Sequence, residues 1–353
     1  MTTPKIQLPQ LRGLDIAEEE SREYGRNFIR FHETGRLEGG IVPILGIMVP
    51  PNCNYSCIYC QYGNDPTKSQ EGLTEREVKG VLDAAVQLGA KTIEIAGVGE
   101  PTIWAGLPHL LREASERGLR TVIFTNGAAL ASNDELMKLL FEDNASLLLK
   151  FNSFKDDIQD FLCGTKRAHE WRDRSFQKAV EVGFNRETPT RLGIETVICA
   201  QNRDEILALW NFARERNVFP FFETLHATGR ALVEMDTIKV SQADLKSIFE
   251  AVAHEDKRKW GYEWTPYMPY LGFSCTVYDH VIVNHDGRVA SCFDFGISEG
   301  NIKKKTLVEI VKGSERLYRI RKLREEFNRF ITCRDASSGE VPLKSDRKSL
   351  PIV

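Results

Sequence analysis

Residues 41–60 read IVPILGIMVPPNCNYSCIYC, an apolar run followed directly by a loop with three cysteines. The run Ile41–Val49 has the length and composition of a buried β-strand. The cysteines have the spacing Cys53-x3-Cys57-x2-Cys60. Three thiolates so close together can hold three corners of a cubane [4Fe–4S] cluster and leave the fourth iron without a protein ligand. An open metal position is typical of a catalytic centre, whereas a structural metal site is closed.

A zinc site is the alternative interpretation of this loop. Zinc sites usually use paired Cys-x2-Cys or Cys/His sets, and no second pair lies near Cys60 in the sequence. The chain has eight cysteines, and clustered cysteines in a reducing compartment indicate metal binding or catalysis rather than disulfides. We therefore interpret the loop as an iron–sulfur site.

Apolar runs and helical patterns alternate from residue 41 to residue 232. After the first run, five more have the length of strands: Thr92–Ala96, Thr121–Thr125, Leu147–Phe151, Leu192–Ile198 and Phe219–Leu225. Capping-box spacings predict two helix starts, at Thr74 with Glu77 and at Ser132 with Glu135. Six strands alternating with helices predict a parallel sheet, and six units fall short of the eight in a closed barrel. We therefore predict an α/β fold, a partial (β/α)6 TIM-like barrel whose chemistry lies at the carboxyl ends of its strands.

A Cys-x3-Cys-x2-Cys loop after a first strand resembles the signature of the radical S-adenosylmethionine (SAM) superfamily. The resemblance implies that Cys53, Cys57 and Cys60 hold a [4Fe–4S] cluster and that SAM binds at its open iron. It also implies that the reduced cluster cleaves SAM to methionine and a 5′-deoxyadenosyl radical, which abstracts hydrogen from a substrate. A flavodoxin- or ferredoxin-type electron donor is expected for such chemistry.

The resemblance extends to the residues expected around SAM. Tyr59 matches the aromatic residue that packs on the adenine in that family. The segment Gly97-Val98-Gly99-Glu100-Pro101 resembles the family's glycine-rich turn. Glycines allow close approach of the backbone, and Glu100 supplies an anion for the methionine ammonium group of SAM.

Polar residues near further strand ends complete the predicted site. By analogy, the candidates for the ribose and the carboxylate of SAM are Asn126, Lys150, Asn152 and Ser153. Glu195 and Glu223 are candidates for contacts with SAM, for contacts with substrate or for structural salt bridges, and we take Glu223 as the candidate catalytic carboxylate. Cys163, after the fourth strand, is either a packing thiol or a hydrogen-atom donor to a substrate radical.

A second cysteine pattern follows the predicted barrel. Cys275-x11-Gly287-x4-Cys292 resembles the opening of the SPASM/twitch extension, which binds additional iron–sulfur clusters, and Cys333 supplies a third thiol. A full SPASM module carries about seven cysteines, so three permit one auxiliary [4Fe–4S] cluster at most. Its fourth iron is either open to substrate or completed by one of Asp294, Asp335, Cys163 and Cys199.

The pattern divides the chain into a helical lead-in over 1–40, the barrel over 41–232, an auxiliary-cluster domain over 233–335 and a polar tail over 336–353. Within the third part we predict a hairpin, His280–Val283 with Arg288–Cys292, because Asp-Gly suits the tight turn between them. One long charged helix is expected over residues 306–330.

Composition and charge restrict the partners and the location expected for the protein. A net charge of −3 argues against a nucleic-acid partner, and the absence of a long apolar segment or an amino-terminal secretory pattern predicts a cytoplasmic protein with no membrane span. Only about 40 residues precede the first strand, too few for an independent peptide-recognition domain. We therefore expect a small polar substrate, with dehydrogenation of a secondary alcohol on an amino sugar or aminocyclitol first. Epimerisation or decarboxylation of a sugar or nucleoside, maturation of a ribosomal peptide, and a non-catalytic iron–sulfur or zinc protein are the alternatives.

Overall fold

A computed structural model describes residues 10–63, 71–264, 280–291 and 298–327. The predicted ligands Cys275, Cys292 and Cys333 lie outside these ranges, as do Asp294 and Asp335. The structure therefore describes the barrel almost completely and the auxiliary-cluster domain in part.

One mixed sheet of nine strands organises the described residues. Its strands are β1 (Ile44–Val49), β2 (Thr92–Gly97), β3 (Arg120–Thr125), β4 (Ser146–Lys150), β5 (Leu192–Val197), β6 (Phe219–Glu223), β7 (His280–Val283), β8 (Arg288–Ala290) and β9 (Ser298–Asn301). Their order in the sheet is β6-β5-β4-β3-β2-β1-β7-β8-β9, and β1 to β6 are parallel neighbours. The prediction of six parallel barrel strands is confirmed.

The predicted hairpin forms, and it belongs to the same sheet as the barrel. Strand β7 pairs in parallel with β1, and β8 and β9 follow it antiparallel. Across this junction the imidazole of His280 on β7 hydrogen-bonds the carboxylate of Glu94 on β2, at 2.9 Å between Nε2 and Oε2, and both side chains are buried. The hairpin therefore extends the barrel wall.

Helices connect the strands and cover the outer face of the sheet. They are α1 (Glu18–Thr34), α2 (Glu75–Gln87), α3 (Leu107–Glu116), α4 (Ala128–Ser132), α5 (Asp134–Glu142), α6 (Asp156–Cys163), α7 (Ala168–Val182), α8 (Ile206–Glu215), α9 (Gly229–Val233), α10 (Met235–Ile238), α11 (Gln242–Glu255), α12 (Leu307–Lys312) and α13 (Glu315–Phe327). Short 3-10 turns cover Pro101–Ile103 and Arg203–Glu205, and a π turn covers Asp256–Trp260. The capping box predicted at Thr74 and Glu77 is present at the start of α2.

Two local predictions are wrong. Ser132 ends α4, and the next helix is capped one residue later, where the side chain of Asn133 accepts a hydrogen bond from the Leu136 N–H at 2.9 Å. The single long helix over residues 306–330 is two helices, because the Ser314 hydroxyl accepts the Leu317 N–H at 3.1 Å and starts α13 anew. In both cases a side chain that accepts a backbone N–H determines where the helix begins.

Alternate residues of the barrel strands point to opposite faces. On β4, Leu147 and Leu149 pack into the helix-covered core, so Leu148 and Lys150 point into the barrel. The amino-terminal end of the interior is filled by Leu11, which packs against Val122 and Leu148. Polar interior residues are therefore left to the carboxyl end, where the predicted site lies.

A buried ion pair holds α8 to the residues after α11. The Asp256 carboxylate is fully buried and accepts hydrogen bonds from the indole N–H groups of Trp210 at 2.7 Å and Trp264 at 2.9 Å. The Arg214 guanidinium donates to the same carboxylate at 2.9 Å, and this guanidinium lies over the ring of Trp210. Both oxygens of the carboxylate therefore accept hydrogen bonds, and these bonds offset the free-energy cost of burying the charge.

Candidate active site

The loop that carries the three cysteines, residues 50–63, lies at the carboxyl end of β1 and is clamped between two helices. The Ser56 and Ile58 N–H groups donate to the carbonyl oxygens at the end of α6, at 3.2 and 3.0 Å. On the other side the Cys60 carbonyl accepts the N–H of Arg230 at 3.0 Å, at the start of α9. The loop is therefore held by backbone bonds to segments more than 100 residues away in the chain.

Two of the three thiols of this loop accept backbone N–H groups, as the ligands of an iron–sulfur cluster do. Cys53 and Cys60 each accept a backbone N–H on sulfur, from Tyr55 at 3.4 Å and Gly63 at 3.3 Å. Burial raises the pKa of the Cys53 thiol to about 12 and also raises that of Cys60. Because cluster binding requires thiolates, iron must offset this burial, and the N–H donors stabilise the negative charge on sulfur.

The turn after β2 packs directly on the cysteine loop. A Cβ added to Gly99 would lie 2.6 Å from the Asn52 nitrogen and closer still to the carbonyl oxygens of Pro50 and Asn52. The Glu100 N–H donates to the Asn52 carbonyl at 2.8 Å. A glycine is therefore required here because the two backbones touch.

The carboxylate of Glu100 joins the ends of β2 and β3. It is buried and accepts from the Thr102 N–H at 2.9 Å, the hydroxyls of Thr102 and Thr125 at 2.5 Å each, and the Asn126 N–H at 2.8 Å. Burial raises the pKa of this carboxyl group, and these hydrogen bonds oppose the shift. Four protein donors give Glu100 an organising role in the fold, while its predicted contact with the SAM ammonium group stays a prediction.

Asn126 also turns toward the cysteine loop. Its amide nitrogen donates to the Asn54 side chain at 2.7 Å and lies 3.9 Å from the Cys53 sulfur. Its amide oxygen accepts the Ala128 N–H at 2.9 Å, so this side chain fixes the loop to the start of α4.

Asn152 and Ser153, predicted to contact SAM, are fully buried and have protein partners. The Asn152 side chain donates to the Tyr59 hydroxyl at 2.7 Å and accepts the Val197 N–H at 3.0 Å. The Ser153 hydroxyl donates to the Glu205 carboxylate at 2.7 Å. Packing after β4 leaves neither side chain exposed, and the predicted contact of these two residues with SAM stays a prediction.

Charged residues meet inside the barrel mouth. The Lys150 ammonium nitrogen lies 2.6 Å from the Glu195 carboxylate and 5.3 Å from the centroid of the Tyr59 ring. Burial alone would lower the pKa of Lys150, but the charges of Glu195 and Glu223 raise it overall. Lys150, a candidate for the SAM carboxylate, is therefore a protonated partner of two glutamates, and Tyr59 is buried beneath it.

Several residues that sequence reasoning missed build the site. Thr102 and Thr125 hold Glu100, and Arg230 donates from its side chain to the Ser56 carbonyl. Gly164, in the left-handed region at φ +57, lies against the Ser56 carbonyl, where a Cβ would approach the carbonyl carbon to 2.7 Å. In the sequence, the glycine directly after Cys163 indicates the end of a helix. Its contact with Ser56 depends on tertiary packing and could not be predicted from the sequence.

Two parts of the chain match models of known protein families. Residues 47–213, from β1 to α8, match the model of the radical SAM superfamily, and residues 275–335 match the SPASM model, an iron–sulfur cluster-binding domain. The chain belongs to the radical SAM superfamily. Its cofactors are accordingly a SAM-binding [4Fe–4S] cluster, SAM and an auxiliary iron–sulfur cluster.

Individual relatives of this radical SAM protein are distant. The Fe-coproporphyrin III synthase of Methanosarcina barkeri is 27% identical over 197 residues, 55% of this chain and 47% of that protein. The PqqA peptide cyclase of Bradyrhizobium diazoefficiens is 27% identical over 168 residues, 47% of this chain and 42% of that protein. The chain thus spans less than half the length of these two curated relatives.

Among solved structures, Streptococcus suis SuiB bound to S-adenosylmethionine superposes with a TM-score of 0.63 at 19% identity. The alignment covers 83% of this chain and 70% of SuiB. This likeness confirms the fold, a partial TIM-like radical SAM barrel. None of the helices in the described parts of the chain has the length and apolar character to cross a membrane.

Proposed function

We propose that this radical SAM protein dehydrogenates a secondary alcohol on a small aminated polyol, an amino sugar or an aminocyclitol. The proposed substrate class rests on the charged residues at the mouth of the barrel. Two carboxylates, Glu195 and Glu223, act on the buried ammonium group of Lys150. Carboxylates in such a setting favour a ligand with an ammonium group, which gains a charge-assisted hydrogen bond there.

Cys53, Cys57 and Cys60 are the residues proposed to hold the SAM cluster. Their support is the all-thiol donor set, the backbone N–H groups directed at sulfur, and their place within the matched residues 47–213. When bound, the cluster and SAM supply one-electron chemistry that removes a hydrogen atom from an unactivated carbon.

The surrounding chain positions this chemistry. The Gly97–Gly99 backbone, Glu100 and Asn126 shape the wall beside the cysteine loop, and the half-buried turn at Gly97 is where we place the methionine part of SAM. Tyr59 and Lys150 form the opposite wall. Packing of this kind excludes water from the reacting atoms.

An electron acceptor is the second requirement of the proposal. Oxidation of an alcohol to a ketone removes two electrons and two protons from the substrate. One hydrogen atom would leave through the chemistry of SAM, so the remaining electron needs an acceptor besides SAM and the remaining proton would pass to a base, for which Glu223 is the candidate. The domain matched at residues 275–335 is the source of that acceptor, and Cys275, Cys292 and Cys333 are its proposed cluster ligands.

Maturation of a peptide is the second candidate function. It is favoured by the likeness to a PqqA peptide cyclase, which extends over 168 residues. A peptide that presents a lysine side chain or amino terminus suits the acidic barrel mouth as well as an amino sugar does.

The test measures 5′-deoxyadenosine formation by the anaerobically reconstituted protein with SAM, dithionite and a panel of aminocyclitols and amino sugars. Each is paired with its deaminated analogue. We expect an aminated compound to stimulate SAM cleavage above its analogue and to yield a product two hydrogens lighter by mass. Glu223→Gln should weaken the preference for the amine. Stimulation by peptides alone, or equal response to both members of every pair, contradicts the proposed substrate class.

A further inference from the structure

Lys150 holds its ammonium group against a carboxylate inside the barrel mouth. In the register of β4 and β5 it lies directly opposite Glu195, and its nitrogen is 2.6 Å from that carboxylate. The preceding residues, Leu149 on β4 and Ile194 on β5, pack into the helix-covered core, so Lys150 and Glu195 both point into the barrel. Their side chains are only 13% and 11% exposed. A lysine usually extends its ammonium group to water, so here a carboxylate has replaced that water.

The ring of Tyr59 fixes the ammonium group from a second side. The Lys150 nitrogen lies 5.3 Å from the ring centroid, within the range of a cation–π contact. The ring itself is held, because the side chain of Asn152 donates to the Tyr59 hydroxyl at 2.7 Å. Asn152 is fully buried, and its side-chain oxygen accepts the Val197 N–H at 3.0 Å. Lys150 is therefore oriented toward Glu195 by groups that cannot easily move.

The stability of the fold does not explain this ion pair. Taking two charges out of water costs free energy that their attraction roughly repays, and an apolar pair of similar volume is often as stable. The pair lies at the carboxyl ends of the strands, where parallel barrels place their chemistry. A buried pair in this position therefore favours a role in ligand binding.

A second carboxylate belongs to the same wall of the barrel. Glu223 ends β6, and Phe222 before it packs into the core, so Glu223 also points into the barrel. Burial by itself lowers the pKa of Lys150, but the charges of Glu195 and then Glu223 raise it overall. Lys150 is thus a resident cation among carboxylates that are proposed to bind an amine.

We propose that Lys150 is a specificity-determining residue whose ammonium group occupies Glu195, so that the barrel mouth accepts a substrate with one ammonium group and excludes a second. The inference rests on the proposed amine substrate and narrows that class to monoamines. The second ammonium group of a diamine would lie beside a fixed cation, and like charges repel. An uncharged residue in place of Lys150 would leave Glu195 to bind that second group.

Ligand binding to the reconstituted protein, with SAM and without reductant, tests the proposal in the absence of turnover. The ligands are a 1,3-diaminocyclitol, the monoaminocyclitol with a hydroxyl in place of one amino group, and the cyclitol without amino groups. Calorimetry gives the Kd of each. Lys150→Met removes the resident cation at similar length, Lys150→Arg keeps a cation, and the double variant Lys150→Met with Glu195→Gln removes both charges. Iron per chain and the Kd of SAM are measured for every variant.

We expect wild type and Lys150→Arg to bind the diamine no more tightly than the monoamine. Lys150→Met should bind the diamine about tenfold more tightly than the monoamine, the effect of one charge-assisted hydrogen bond, and the double variant should lose this preference. An unchanged ratio of the two Kd values in Lys150→Met, or the same preference in the double variant, overturns the proposal. Weaker SAM binding by Lys150→Met at an unchanged ratio also overturns it and assigns Lys150 to the carboxylate of SAM.

Glu195→Gln alone keeps the test decisive where Lys150→Met does not fold or loses its iron. It frees the Lys150 ammonium group to repel the ligand, so the monoamine should bind about tenfold more weakly while the cyclitol without amino groups keeps its affinity. An unchanged Kd for the monoamine overturns the proposal. A wild-type protein that binds the monoamine no better than the cyclitol without amino groups would instead refute the amine substrate proposed above.

Discussion

The contact between Gly164 and the cysteine loop offers a direct test of how the site is built. Gly164 follows α6 at φ +57, and an added Cβ would lie 2.7 Å from the Ser56 carbonyl carbon. Carbon atoms normally rest about 3.5 Å or more apart, so Gly164→Ala must displace the loop or the helix end by about 1 Å. Ser56 directly precedes Cys57, so the displacement acts on a proposed cluster ligand.

Backbone strain must be separated from this contact, and Gly118 provides the control. It follows α3 at φ +69, in the same left-handed region, and no described atom lies within 4 Å of an added Cβ. Alanine at either position costs about 1–2 kcal/mol of folding free energy from strain. Both variants should therefore lose this strain energy, while only Gly164→Ala also moves the loop.

The assay is iron and sulfide content after anaerobic reconstitution, together with the change in the EPR signal of the reduced protein on adding SAM. We expect Gly118→Ala to match wild type. Gly164→Ala should lose about four irons per chain and the SAM response, since a ligand displaced by about 1 Å no longer meets its iron. If Gly164→Ala retains both, the reasoning that this contact sets the loop position is refuted.

Three further predictions concern stability. Asp256→Asn should cost about 3–5 kcal/mol in chemical denaturation because it removes the carboxylate charge from a buried ion pair, and a loss under 1 kcal/mol would contradict this account. Asn133→Ala should cost about 1 kcal/mol by removing the cap of α5, while Ser132→Ala costs little; equal losses would restore the predicted capping box. A hydrogen bond to Asp160 raises the pKa of His169, so this pair stabilises the fold below the ordinary histidine pKa of about 6.5 and the contribution fades as the pH rises through the raised value. The difference in Tm between wild type and His169→Gln should shrink from pH 6 to pH 9, and a constant difference would argue against the pair.

The barrel was predictable because its signals are local. Strands such as β1 and β5 are buried on both faces and have the sequence of a short apolar run, and the helices between the strands repeat apolar residues at helical spacing. Local signals failed where one capping side chain determines which of two neighbouring residues starts a helix, as at Asn133. They also failed where a cap divides one predicted helix into two, as at Ser314.

The sequence by itself determined the class of chemistry, because Cys53, Cys57 and Cys60 lie within one short loop and their spacing survives any arrangement of the rest of the chain. Only the tertiary structure decided what the strand-end residues do. Asn152 donates to Tyr59, 93 residues away, and Cys163 packs in one cluster with Cys57 because Ser56 is hydrogen-bonded to the end of α6. Such contacts depend on how strands and helices pack around a common end of the barrel, and no local spacing encodes which polar group finds which partner there.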